Sequence, residues 1–313
     1  GGVPGGGGGA GAENSKSEGE ETSSAAITAH DDVLASLCST KVAAGAVARA
    51  LRGAAGPACR AVDRAALASR LMSEEHEGSA SVFLIPHGGS GQVGRSGSSK
   101  SGESLVNPVA IAVFYARVAW GLKRIAIIDI NALVSMGTYD IFRGDRDALF
   151  ASVHLAAPGG RDPALARLAG EAAAEDQNFF FGIRSDDDQQ KPETNEPTGS
   201  KGVREVIEGP LTKALEDFQP QLLVVASAFD GAEAHPLGGR LGTTGRDTHA
   251  QARHLAQLAN RLCEGRMVTI LESAASKVGA TKAEREKFCK AVLAHLQGSL
   301  GQPFTKQLTA NDK

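Results

Sequence analysis

Apolar residues are nearly missing from the first stretch of the chain and then return in two distinct rhythms. Residues 1–28 are Gly, Ser and Glu with few apolar side chains. Ordering them would cost backbone entropy with little buried in return, so a disordered tail is expected there, with a single domain over 29–313. From Asp31 to Met72 the chain turns alanine-rich, and Val33, Leu34, Leu37, Val42, Ala46, Val47 and Leu51 recur as one face of a helix would. Gly56-Pro57 ends that helix ahead of a second one.

Further along, short runs that are apolar throughout alternate with periodic segments. SVFLIP (81–86), RIAIIDI (124–130), ALFASVH (148–154), QLLVVASAF (221–229) and MVTILES (267–273) read as buried strands. Between them, a helix starts at Pro108 and closes near Gly121, and others are predicted near 138–143 and over 204–218, 247–263 and 284–300. Strands apolar on both faces and separated by helices predict an α/β fold: a parallel sheet flanked by helices on both sides. Residues 157–202 break the alternation with a charged, Pro-containing stretch and are expected to form an insertion loop on one rim, with Phe179, Phe180 and Phe181 as a strand or a loop anchor.

Composition narrows the function classes. With 313 residues, 42% apolar and 22% charged, the chain can bury one large core. A net charge of −3 without a run of Lys or Arg argues against nucleic acid as a partner. No segment has 18 consecutive apolar residues, so no membrane span is expected. Cys38, Cys59, Cys263 and Cys289 are too scattered for a zinc ribbon or a CxxC redox site, which points to a reducing intracellular compartment. The absent initiator Met leaves room for a removed organellar presequence, mitochondrial among others.

Two Gly-rich motifs fail on geometry. Gly89-Ser90-Gly91-Gln92-Val93-Gly94 is a literal GxGxxG, but the next helix starts 14 positions beyond Gly94 and Asp129 lies 35 beyond it. A dinucleotide site needs its third glycine at the helix start and its acid about 20 residues on. GRSGSSKS (94–101) approaches a phosphate-binding loop, yet Ser99 stands where that loop needs glycine.

A third motif carries more. DINALVSMGTYDIFRGDRDALFASVH (129–154) keeps Asp129, Gly137, Thr138, Asp140, Phe142, Ser152 and His154 in the pattern Asp-x-Asp-x-His-His-Gly-x-Gly-Thr, Asp-x-Phe, Ser-x-His. VREVIEGPLTKALEDFQPQLLVVASAFDGAEAHPLGG (203–239) matches a helix, Phe-x-Pro-x-Leu, a strand, Ser-Ala-Gly-Phe-Asp and Asp-Pro-Leu-Gly-Gly. GESLVNPVAIAVFYARVAWGLKRIAIID and MVTILESAAS fall in order on either side. Together these segments, over about residues 81–300, resemble the zinc-dependent histone deacetylases and acetylpolyamine amidohydrolases, in a degenerate form. The resemblance implies the arginase/deacetylase type of parallel sheet.

That resemblance also implies where chemistry should sit. The family holds zinc with Asp, His and Asp, activates water with a His pair and polarises the acyl group with Tyr. Here the ligand positions are Asn131, Leu133 and Asp230, so Asp230 alone is kept; the His pair falls on Gly89 and Ser90, and the Tyr on Ala275. A neutral amide is a poor zinc ligand and Leu is none. His87, His154 and His235 are the histidines from which a site could be rebuilt, with His154 read as a packing residue. The family's structural potassium would meet Asp129, Asn131, Leu133, Ser152 and Val153, three of them through carbonyls; alternatively Asp129 accepts hydrogen bonds from its loop. No cofactor is expected beyond that possible potassium, and zinc is not expected. The implied role is a catalytically inactive structural or interaction subunit of a protein assembly. An amidohydrolase with a rebuilt metal site and a binding module for acyl-lysine or polyamine stand as alternatives.

Overall fold

The computed structural model describes residues 58–66, 81–84, 107–156, 177–185, 197–233, 241–272 and 282–305, all within the unit Ala50–Lys313. Strands β1 (Ser81–Leu84), β2 (Ile125–Ile130), β3 (Ala148–Leu155), β4 (Asn178–Ile183), β5 (Leu222–Ser227) and β6 (Met267–Leu271) form one sheet in the order β1-β6-β5-β2-β3-β4. Every pairing is parallel.

The apolar runs are explained by cover on both faces. Alternate strand residues point to opposite sides: Ala126, Ile128, Leu149, Leu223 and Val225 join one core, and Ile125, Ile127, Phe150, Val224 and Val268 join the other. Helices α4 (Gly199–Val206), α5 (Thr212–Phe218) and α6 (Gly245–Cys263) cover the first face. Helical residues 58–66 (α1) and α2 (Pro108–Trp120) cover the second, with α3 (Met136–Phe142). Helix α7 (Lys282–Ser299) packs on α6 so closely that a Cβ at Gly298 would come within 2.2 Å of the His249 carbonyl oxygen, which only glycine allows.

Local chemistry sets the helix ends. The Asn107 side chain accepts from the Ala110 N–H at 2.9 Å, Pro108 takes the first turn, and Gly121 closes α2 at φ 65°. Thr244 and Asp247 form a reciprocal capping box at the start of α6. The stretch predicted as one helix over 204–218 runs from α4 to α5 through a π turn at Ile207–Leu211. Pro210 has no N–H to continue the ladder, and the Thr212 hydroxyl donates to the Ile207 carbonyl at 2.7 Å.

One expectation is corrected. The span 157–202 is not a loop throughout: Asn178–Ile183 pairs along β3 as β4, and α4 begins at Gly199. The phenylalanines explain the strand, since Phe179 and Phe181 pack on one core while Phe180 meets Tyr139 and Phe150 on the other. Residues 1–28, the helix predicted over 31–51, the loop at 87–104 and His87, Gly89, Ser90, His235 and Ala275 all lie outside the described residues.

Candidate functional site

Four strand ends converge at the carboxyl edge of the sheet, where parallel α/β folds place their sites. Asp129 closes β2, Ser152 lies beside it in register on β3, Ser227 ends β5, and Glu272 follows β6. The turns after β2 and β5 add Asn131, Ser135 and Asp230. Asp129, Asn131, Ser135, Ser152, Asp230 and Glu272 are all buried.

Asn131 ties this cluster together. Its Nδ2 donates to Asp129 Oδ1 at 2.5 Å and to Glu272 Oε2 at 2.9 Å, while its Oδ1 accepts from the Ala228 N–H at 2.6 Å. These three bonds join the loops after β2 and β5 to the end of β6. They also set the amide's orientation, because only an NH2 can serve two carboxylates.

Asp129 is saturated from its own chain. Oδ1 accepts from Asn131 and from the Ser135 hydroxyl at 2.9 Å, and Oδ2 accepts from the Ser135 N–H at 2.9 Å and the Ser152 hydroxyl at 3.0 Å. Asp230 Oδ1 accepts from the Ala132 N–H at 2.6 Å. The second oxygen of Glu272, Oε1, is buried without a hydrogen-bond partner. Burial pushes all three carboxyls up: Asp230 to about 6, and Glu272 and Asp129 in the same direction, with the neighbouring Asp129 charge adding to the rise at Glu272.

The remaining candidate positions separate. Leu133 turns outward at 51% exposure, Val134 is buried, and Val153 is buried within β3. His154 is buried, with Nδ1 3.3 Å from the Ser152 hydroxyl. Among the described residues, no group of three or more His, Cys, Asp or Glu is arranged to hold a metal ion.

Two members of the cluster escaped the sequence reading. Glu272 ends an apolar strand as Asp129 does, and an acid at the end of a buried run was the available signal. Ser135 occupies the first glycine position of the metal motif, and its side chain and N–H both serve Asp129.

Residues 12–273 match the family model described as "Histone deacetylase domain". A type-2 histone deacetylase of Dictyostelium discoideum is 28% identical over 245 residues, covering 74% of this chain and 13% of that protein. A probable deacetylase of Archaeoglobus fulgidus is 28% identical over 244 residues, covering 77% of this chain and 60% of that one. This chain therefore spans only part of these relatives. Among solved structures, the HDA15 HD domain aligns with a TM-score of 0.58 at 22% identity, covering 83% of this chain and 64% of that one. An acetylpolyamine aminohydrolase from Burkholderia pseudomallei aligns with a TM-score of 0.56 at 18% identity over 77% of this chain and 61% of that one. At these identities the structural likeness shows the fold, while the family match spans most of the chain: the protein belongs to the histone deacetylase family.

Proposed function

We propose that this chain is a catalytically inactive member of its family and works as a structural or interaction subunit of a larger assembly. One observation carries the reading: Asn131 is spent on holding the scaffold. Both hydrogens of its amide go to carboxylates and its oxygen to a backbone N–H. A neutral amide so engaged does not fit a zinc ion, and Leu133 brings no donor atom and faces outward. Among the described residues Asp230 has no second protein ligand to work with, and without a bound metal the family's water activation has no starting point.

The same geometry bears on potassium. All the hydrogen-bonding capacity of Asp129 that four donors can use is taken, so an ion there would compete with the Ser152 hydroxyl. Potassium at this place would therefore be held chiefly by carbonyls and would be weaker than in a site with an open carboxylate.

Metal analysis of the purified chain, together with turnover assays on an acetyl-lysine peptide and an acetylated polyamine, tests the first half of the reading. The expected result is zinc well below one per chain and no hydrolysis; stoichiometric zinc with turnover overturns it. Native size measurement in extract tests the second half, with the chain expected in a complex of defined stoichiometry rather than free.

A further inference from the structure

Helix α2 has no polar face. Arg117 is its only charged residue, and its two polar ring groups are spent on α1, where the Tyr115 hydroxyl and Trp120 Nε1 each donate to Asp63 at 2.9 Å. On its outer side Ile111, Phe114 and Val118 fall on one stripe, three and four residues apart. Phe114 is 48% and Val118 87% exposed, and no described element covers them. Helices that are apolar all round are normally buried. The outer side of α6 carries what solvent ordinarily meets, with Arg246, Arg253, Gln257 and Asn260 exposed.

Cations border the stripe. Phe142, whose ring centroid lies 5.4 Å from that of Phe114, is followed by Arg143, with a side chain 57% exposed. The ion pair of Arg117 with Asp145 holds the turn after α3 beside α2, with exposed Arg146 next in that turn. Lys123, whose carbonyl accepts from Arg117 Nε at 3.2 Å, closes the end. Of the acids on this side, Asp140 and Asp145 are already paired with Arg143 and Arg117, which leaves Asp147 against Lys123 and Arg146.

Size and charge together select the occupant. Ile111 to Val118 spans two turns, roughly 10 Å, which suits one crossing helix. A stable interface between subunits needs about 800 Å² from each, far more than such a stripe offers. A second copy packed antiparallel on it would also set Arg143 against its own counterpart, a like-charge contact.

We infer that α2 docks an amphipathic helix of another protein, whose apolar stripe packs on Ile111, Phe114 and Val118 and whose flanking Asp or Glu residues face Arg143, Arg146 and Lys123. This rests on the subunit role proposed for the chain, not on its inactivity, so metal content and turnover do not bear on it. If the helix fails to dock while the chain still sits in a native complex, the subunit role stands on another surface.

Fluorescence anisotropy on the full chain tests it with a labelled synthetic peptide that has leucines at helical spacing and glutamates elsewhere. A counterpart with lysine for glutamate is the charge control. The glutamate peptide is expected to bind about tenfold more tightly than the lysine peptide, and Val118→Glu, at an exposed position, to weaken it about tenfold. Arg143→Glu should narrow the preference between the two peptides, which a merely apolar surface would not show. No binding of the glutamate peptide, equal binding of both, unchanged affinity in Val118→Glu or unchanged preference in Arg143→Glu overturns the proposal. Sedimentation of the chain alone should show a monomer; a dimer that Val118→Glu dissolves gives the stripe to a second copy and overturns it too.

Discussion

A single side chain, Asn131, decides how the carboxyl edge of the sheet is used. Three buried carboxyls stand around it, and its amide hydrogens are what two of them share. Asn131→Asp puts a fourth carboxyl into the cluster and removes both donors. Leaving buried charges uncompensated costs about 3–5 kcal/mol, so the urea midpoint of the metal-free variant should fall at pH 8 and recover in part at pH 5. An unchanged midpoint at pH 8 would count against the tether. That a neutral amide stands at 131 is legible in the sequence by position alone. That it reaches a glutamate 141 residues away is not, because only the parallel packing of β2, β5 and β6 brings the two together.

Among the elements, α2 is held at its start by one residue with two jobs. Asn107 Oδ1 caps the helix, and its Nδ2 donates to the Thr138 hydroxyl of α3 at 3.0 Å. Asn107→Ala should destabilise the domain by about 1–2 kcal/mol in thermal or urea unfolding, as loss of an N-cap does elsewhere. Asn107→Asp should recover part of this by restoring the cap alone, and equal loss in both variants would mean the cap contributes nothing. The helix itself was readable from Pro108, the apolar period and Gly121. Of β4 only Phe179-Phe180-Phe181 offered a strand, with a loop anchor as the alternative, because its residues are half-buried at the sheet edge within a polar, irregular stretch, where neither an apolar run nor strict alternation stands out. The π turn was hidden for another reason: Pro210 announces a break in the ladder but not whether the helix recovers beyond it.

For the whole molecule, the buried titratable groups set the pH response. Glu272 moves from 4.5 to about 8, mainly through burial, and Asp230 from 3.8 to about 6 for the same reason. Folded pKa values above the unfolded ones mean that the stability from these groups is full below about pH 4 and is lost as pH rises through the folded values. His295 runs the other way: its pKa is lowered from 6.5 to about 4, so its contribution is lost as pH falls through that window. Above about pH 7.5, past the unfolded histidine value, His295 is neutral in both states, and Glu272 should bring the melting temperature down until its carboxyl ionises in the folded protein. Glu272→Gln should flatten that decline, and a decline equal to the parent's would exclude Glu272 as its source.

The sequence by itself determined the parallel sheet, the order of its helices and the chemical identity of Asn131, Leu133 and Asp230, since apolar runs, helix caps and residue types are local properties. Only the tertiary structure decided that Glu272 and Ser135 join Asp129 and that Leu133 faces out. Those relations depend on the register of strands and helices far apart along the chain, which no local pattern records.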